Sequence, residues 1–251
     1  MSKFPVKIRL DQYLVDLGLS CSIKEAQSLC MQGLVHDQSR QLQKAGMLIR
    51  QDRIDIKVKN PKGHDYVARS ALKLKAAIVH FKIDVGQMIC ADLGCSTGGF
   101  TQVLLEYGAK FIYCVDVAYG EFSSKLRGNP KIALLEKTNV RHLSRDLIPE
   151  PLDVIVCDLS FIGLRTALPA CLGLLKQGGI LIALIKPQFE LPQDKIPLGG
   201  IVIDAASHKE ACDSVGSWLI NKCNFEVIGT LPSPILGVKG NQEFVTFAIK
   251  R

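Results

Sequence analysis

The chain has no Cys-x-x-Cys pair, no apolar run longer than Ile180 to Ile185, and no hydrophobic stretch between Met1 and Lys7. Each absence removes a class of protein. Without paired spacing, the nine cysteines at positions 21, 30, 90, 95, 114, 157, 171, 212 and 223 outline neither a zinc site nor a disulfide frame. Several sit inside apolar, strand-like runs and read as buried thiols of a reducing compartment. The longest apolar run is far too short to span a membrane. The first residues do not have the make-up of a secretory leader. The expectation is a cytoplasmic protein that uses neither metal nor membrane.

A length of 251 residues with 47% apolar side chains supplies the core of one or two domains. The net charge of +7 becomes informative when divided. Residues 1–75 hold 14 Lys and Arg against 7 Asp and Glu, whereas residues 76–251 hold 17 of each sign. A basic module joined to a neutral one suggests that the first grips a polyanion while the second does chemistry. Charge alone does not choose among RNA, DNA and an acidic membrane.

Apolar positions 8, 10, 13, 14 and 17 form a helical stripe over Ile8 to Leu17, and Ser22 is placed to cap a second helix from Ile23 to Met31. Arg53 to Val58 alternates charged and apolar residues as a half-exposed strand does. These elements make a small α+β module over residues 1–59, followed by a polar, Pro- and Gly-containing linker over residues 60–67. Residues 68–251 form the second domain. It opens with a helix over Ala71 to Phe81, and strands are predicted at Met88–Leu93, Lys110–Asp116, Ile132–Leu135, Leu152–Cys157, Gly178–Ile185, Phe225–Thr230 and Phe244–Ile249. Strands alternating with helices predict an α/β, Rossmann-like, doubly wound and mostly parallel seven-stranded sheet. Ligands of such sheets sit beyond the carboxyl ends of the strands.

At the first of those ends stands Asp92-Leu93-Gly94-Cys95-Ser96-Thr97-Gly98-Gly99-Phe100-Thr101-Gln102, a glycine-rich turn that opens a helix. The second glycine of the pyrophosphate fingerprint is missing, and an acid precedes the first glycine by two residues. An acid there suits a ligand with positive charge, such as the amino and sulfonium groups of S-adenosylmethionine. Gly94, Ser96, Thr97, Gly98, Gly99 and Phe100 are the matching cofactor candidates. Gly94-Cys95-Ser96-Thr97-Gly98 also has the Gly-x-Ser-x-Gly form of a nucleophile elbow, with only His142 or His208 to serve as its base. The other carboxyl ends add Asp116, Thr138-Asn139, Asp158 and Lys186. Asp116 is spaced to accept the ribose hydroxyls of an adenosine ligand, and Asn139 is a weaker adenine or ribose candidate. Asp158 and Lys186 form either a structural ion pair or the group that meets an acceptor. Methyl transfer to oxygen needs a base. A lysine with its ordinary pKa near 10.4 is unprotonated only about 0.04% of the time at pH 7, so desolvation or a second nearby cation, which Lys73 could supply, has to lower it.

Two stretches resemble known families. Arg9-Leu10-Asp11-Gln12-Tyr13-Leu14, Lys24-Glu25-Ala26-Gln27 and Gln51-Asp52-Arg53-Ile54 are similar to the small RNA-binding module named after ribosomal protein S four, although Ser22-Ile23 and Val35-His36-Asp37 depart from its usual Ser-Arg and Val-Asn-Gly. That likeness implies RNA contacts at Arg9, Lys24 and Arg53. Further on come Leu72-Lys73-Leu74, Asp92 to Thr101, Asp116-Val117-Ala118-Tyr119-Gly120, Thr138-Asn139-Val140-Arg141, Asp158-Leu159-Ser160-Phe161-Ile162, Ile185-Lys186-Pro187-Gln188-Phe189-Glu190 and Gly237-Val238-Lys239-Gly240-Asn241-Gln242-Glu243, in that order. Together they resemble the TlyA, or haemolysin-A-like, family of ribosomal RNA 2′-O-methyltransferases, with an FtsJ-like fold. The resemblance implies a Lys73, Asp158, Lys186, Glu243 tetrad, S-adenosylmethionine held partly by Asp158, and a cytidine ribose in ribosomal RNA or a ribosomal subunit as acceptor. It also implies that a chain this short at both ends acts on the large-subunit RNA. Arg69, in an Ala68-Arg69-Ser70-Ala71 stretch where the family has Ser-Arg-Gly-Gly, is a further RNA candidate; Cys95 and Gln102 stand where the family has Ala and Asp. The competing readings are a non-catalytic ribosome-binding factor that retains the pocket, a membrane-active haemolysin, which no long amphipathic segment supports, and a base or protein methyltransferase, which lacks the Asn-Pro-Pro-Tyr type of loop.

Overall fold

The computed structural model describes residues 7–17, 19–20, 23–37, 40–50, 56–58, 66–237 and 239–251. The chain divides into two compact units, Met1–Asp65 and Tyr66–Arg251, a cut that falls inside the predicted linker.

The first unit contains β1 (Lys7–Arg9), α1 (Leu10–Asp16), α2 (Ile23–Met31), β2 (Val35–Asp37), β3 (Arg40–Gln41), β4 (Leu48–Arg50) and β5 (Ile56–Val58). β1 pairs antiparallel with β4, and β2 lies between β3 and β5. The predicted first helix starts two residues late. Ile8 and Arg9 are strand, because Lys7-Ile8-Arg9 alternates and pairs with β4, with Ile8 against the core. Leu10, Tyr13, Leu14, Ala26, Cys30, Val35, Leu42, Ile49 and Ile56 close that core. Arg53 and the capping Ser22 lie outside the described residues.

The second unit runs α3 (Ala71–Phe81), β6 (Ile89–Leu93), α4 (Gly99–Glu106), β7 (Phe111–Val115), β8 (Ile132–Leu135), β9 (Leu152–Cys157), α5 (Leu164–Ala167), α6 (Pro169–Leu172), β10 (Leu175–Ile185), α7 (Pro187–Glu190), α8 (Ala205–Cys223), β11 (Phe225–Pro232) and β12 (Phe244–Lys250), with short 3₁₀ turns at Val140–His142 and Gln193–Lys195. One seven-stranded sheet has the order β11-β12-β10-β9-β6-β7-β8. All its pairings are parallel except those of β12, which runs against both β10 and β11. The two-residue period divides the strands between two cores. Ala91, Leu93, Ile155, Cys157, Leu181, Ala183 and Ile185 join the cluster under α5, α6 and α8. Cys90, Val154, Val156, Ile182 and Leu184 join the one under α3 and α4. With both faces covered, the central strands are apolar at nearly every position. Each fully buried leucine or isoleucine contributes on the order of 2 kcal/mol. β10 begins at Leu175 rather than Gly178, with a register shift against β9 between Leu175 and Ile180 where Gly178 takes φ +74°. Among the described residues no helix is long and apolar enough to cross a membrane.

This order fixes where chemistry can sit. From β6 the chain passes to β7 and β8 on one side, then returns to β9 on the other, so the topological switch lies between β6 and β9. The glycine turn hangs from β6, and Asp158 follows β9. Lys186 follows β10, one strand further along. Because β12 is reversed, its beginning lies at the same edge, and Ile185 pairs with Phe244. Glu243 is thereby delivered beside Lys186.

Candidate active site

Lys73, Asp158, Lys186 and Glu243 come together in one buried cluster. Lys73, on the first turn of α3, places Nζ 2.6 Å from Glu243 Oε2 and 3.3 Å from Asp158 Oδ2. Lys186 Nζ lies 2.6 Å from Asp158 Oδ1 and donates to Ser160 Oγ at 2.9 Å. Lys73 and Lys186 are each 7% exposed, and Glu243 is 3% exposed. Asp158 is therefore shared between two ammonium groups. Burial pushes its carboxyl up, but the charges of Lys186 and Lys73, with hydrogen bonds from both, outweigh that and hold it below the usual carboxylate range. Two cations and two anions make the cluster neutral, which is the condition under which four charges tolerate burial.

Next to this cluster the glycine turn is built for close approach. Gly94 has φ +81°, and a methyl there would sit 2.9 Å from the Asp158 carbonyl oxygen. Gly98, the N-cap of α4, has φ +95° and is walled by Leu126 and Phe122. Only glycine meets both demands. The turn and Asp116 border a shallow hollow that Cys95, Ala118, Glu121 and Phe122 also line. Asp116 accepts from the amides of Ser96 at 2.7 Å and Ala118 at 2.8 Å, locking the end of β7 to the turn. Asn139 caps the Val140–His142 turn through Oδ1, the turn-forming role open to a loop Asn. Phe100 turns its ring into the core under α4, so any contact it offers a ligand comes from its backbone.

Asp92 lies beneath the turn, fully buried, rather than on its open face. One oxygen accepts from Thr101 Oγ1 at 2.6 Å, and Oδ1 has no hydrogen-bond partner among the described residues. Burial pushes its pKa to about 7, Thr101 pulling the other way and Asp158 and Asp116 adding to the rise. An acid raised in the folded state binds its proton more tightly than the unfolded chain does. Its contribution to stability is therefore greatest below pH 4 and is lost as pH climbs to about 7, by roughly 4 kcal/mol at most. Denaturant unfolding of the ligand-free protein from pH 4.5 to 8 should show this decline, and Asp92→Asn should flatten it. An equal decline in the variant would assign it to other groups.

Of the RNA candidates, Arg9 is exposed but forks onto Asp11, with Nε at 3.0 Å and Nη2 at 2.6 Å. Lys24 is exposed on α2, and Arg69 donates to the Leu236 carbonyl at 3.3 Å. The nucleophile-elbow reading finds no support. His208 Nε2 meets the Val202 carbonyl at 2.9 Å, and among the described residues neither it nor His142 hydrogen-bonds to Ser96. No group of His, Cys, Asp and Glu among the described residues could hold a metal ion. Two residues beyond the predicted set belong to the site. Ser160 accepts from Lys186, and Phe161, 88% exposed, holds φ +67° three residues after Asp158. The Phe161 ring lies 5.6 Å from that of Phe189.

Comparison with known proteins identifies the family. The model of the FtsJ-like methyltransferase family matches residues 66–250. The chain is 34% identical over 238 residues to the 16S/23S rRNA (cytidine-2′-O)-methyltransferase TlyA of Mycobacterium tuberculosis, covering 95% of this chain and 88% of that one. It is 34% identical over 244 residues to Hemolysin A of Brachyspira hyodysenteriae, covering 96% of this chain and all of its relative. A solved structure named for hemolysin, from Streptococcus thermophilus, superposes with a TM-score of 0.76 at 35% identity and covers 98% of this chain and 89% of that one. With the domain model spanning the whole second unit and these relatives spanning both, the chain belongs to the FtsJ-like methyltransferases, in the TlyA or haemolysin-A-like group.

Proposed function

We propose that the protein transfers a methyl group from S-adenosylmethionine to the ribose 2′-oxygen of a cytidine in ribosomal RNA. The observation that carries this reading is the buried, neutral Lys73–Asp158–Lys186–Glu243 cluster standing beside a glycine turn at the switch point of the sheet. The relatives named as rRNA cytidine-2′-O-methyltransferases supply the acceptor class.

The cofactor fits the residues present. The Gly94–Gly99 turn, where a side chain at Gly94 would fill the space, and Asp116 would hold its adenosine and amino-acid ends, and Asp92, buried beneath, braces the turn through Thr101. When bound, it contributes an electrophilic methyl group. The remaining work belongs to the protein. Lys186, in its neutral form, takes the proton of the 2′-hydroxyl, held in line by Asp158 and Ser160. The proton that leaves the 2′-oxygen ends on Lys186 Nζ, where the ammonium pairs with Asp158. Lys73, steadied by Glu243, faces the developing alkoxide with a fixed positive charge. Phe161 stacks the base of the target nucleotide once it has left its helix. The basic first unit, with Arg9, Lys24 and Arg53, docks on RNA phosphates, and Arg69 of the second unit is a further RNA contact.

Mapping 2′-O-methylation across both ribosomal RNAs, in cells with and without the gene, tests the reading directly. A cytidine mark that vanishes with the gene supports it, whichever subunit carries the mark. Identical maps, together with no transfer by purified protein in excess cofactor, leave a non-catalytic ribosome-binding factor instead. Affinity for RNA should fall with salt at a log–log slope steeper than about −3, and deletion of residues 1–60 should flatten it. Salt-independent binding by the full chain would overturn the docking role.

A further inference from the structure

In the stretch Lys186–Glu190 only the lysine takes part in proton transfer, yet the helical turn behind it is tied to the loop after β9 at Phe189 and Glu190. Lys186 Nζ donates to Ser160 Oγ at 2.9 Å. The rings of Phe189 and Phe161 lie 5.6 Å apart. Glu190 Oε1 accepts from the Leu164 amide at 2.6 Å, capping the first N–H of α5, and Arg165 Nη2 donates to the Glu190 carbonyl at 2.8 Å. The contact is so close at Gly163 that a methyl there would sit 2.8 Å from the Phe189 carbonyl oxygen and 3.2 Å from Glu190 Oε2.

Glu190 is 5% exposed and its Oε2 lacks a hydrogen bond among the described residues, with Arg165 Nε 3.7 Å away. Burial pushes this carboxyl up, with the Leu164 amide and Arg165 opposing. Packing alone does not call for an acid in such a place. What the acid does hold is the far end of a four-residue loop whose near end, Ser160, is held by the base. Between the two ends lies Phe161 in a left-handed conformation that a bulky residue does not keep unaided.

We propose that Glu190 is a positioning residue for the acceptor: by fixing the Leu164 amide it sets the Ser160–Gly163 loop, and so places the Phe161 ring and the Ser160 hydroxyl relative to Lys186. The inference rests on the methyl-transfer reading above. It predicts a division of labour, because the glycine turn, Asp116 and Asn139 follow β6, β7 and β8, and of the cofactor candidates only Asp158 adjoins this seam. Loss of Glu190 should therefore weaken use of RNA and spare the cofactor.

The test uses the full chain and ribosomal subunits from a strain lacking the gene. Wild-type protein must first methylate them; if it does not, the functional reading fails before this one is reached. With wild type active, Glu190→Ala should raise the KM for the subunits by about tenfold, as expected for removing the acceptor of one buried amide, while calorimetric affinity for S-adenosylmethionine stays within about twofold. Glu190→Gln keeps an oxygen for the Leu164 amide and should restore KM to near wild type. Gly163→Ala, which wedges the seam apart and leaves Glu190 in place, should act like Glu190→Ala and carries the test if that variant does not fold. An unchanged KM in Glu190→Ala or Gly163→Ala overturns the proposal. So does a parallel loss of cofactor affinity, or a glutamine variant as impaired as the alanine one.

Discussion

Replacing Lys186 with alanine lowers methyl transfer by about 10²–10⁴-fold, the range for removing a positioned general base, and leaves the affinity for S-adenosylmethionine within about threefold. The separation follows from where the lysine sits. It follows β10, while the glycine turn and Asp116 follow β6 and β7, so truncating it removes no wall of the cofactor hollow. Asp158 keeps Lys73 at 3.3 Å, and Lys73 keeps Glu243 at 2.6 Å, so the remaining cluster is still paired. Single-turnover transfer from a radiolabelled methyl donor measures the first effect and calorimetry the second. Turnover within tenfold of wild type would remove Lys186 from the role of base and pass it to Lys73.

Replacing Asp158 with alanine is expected to cost the fold about 3–5 kcal/mol, the penalty for leaving a buried charge without its partner. Lys186 then retains only the Ser160 hydroxyl, and two ammonium groups face one remaining carboxylate, Glu243. Adding Lys186→Met to Asp158→Ala should recover a substantial part of the loss, because it removes the stranded cation. Denaturant unfolding of the four members of this cycle gives the coupling. Full additivity would show that Asp158 contributes through something other than its two ion pairs. The pH dependence has a definite sign. Because the folded-state carboxyl is held below its ordinary value, its contribution is fully present above about pH 4 and is lost as pH falls through the depressed value. Asp158→Ala should thus lie furthest below wild type at neutral pH and converge with it in acid.

The features legible in the amino-acid sequence and those that are not divide along a physical line. The boundaries of α2 and α3, and of β8 and β9, match the predicted ones because each has a full period and a clear stop. Asp116, Asp158 and Lys186 are legible for a different reason: in a parallel sheet, the residue after an apolar strand is at the ligand edge. That rule is blind to Glu243, which precedes its strand, and whose place depends on the reversal of β12. Only the family resemblance points to it. Lys73 carries no strand-end signal: the sequence offers it as an assisting cation and through the family resemblance, and the packing of α3 against α4 and β12 brings it to Asp158 and Glu243. Phe161 carries no signal in its identity, since a positive φ is a property of the folded loop. Phe100 and Asp92 mislead in opposite ways. An apolar ring next to the turn packs inward, and an acid beside glycines goes under them instead of out toward solvent.

With β12 between β10 and β11 rather than at a margin, the interior of the sheet includes the last strand in chain order. Lys73 and Glu243 are 170 residues apart, and their contact depends on that strand being in place. A nascent chain lacking that strand has its glycine cradle, its aspartate and both lysines, yet not the glutamate that pairs with Lys73. The Lys73–Glu243 pair therefore forms only in a polypeptide whose synthesis has passed Glu243.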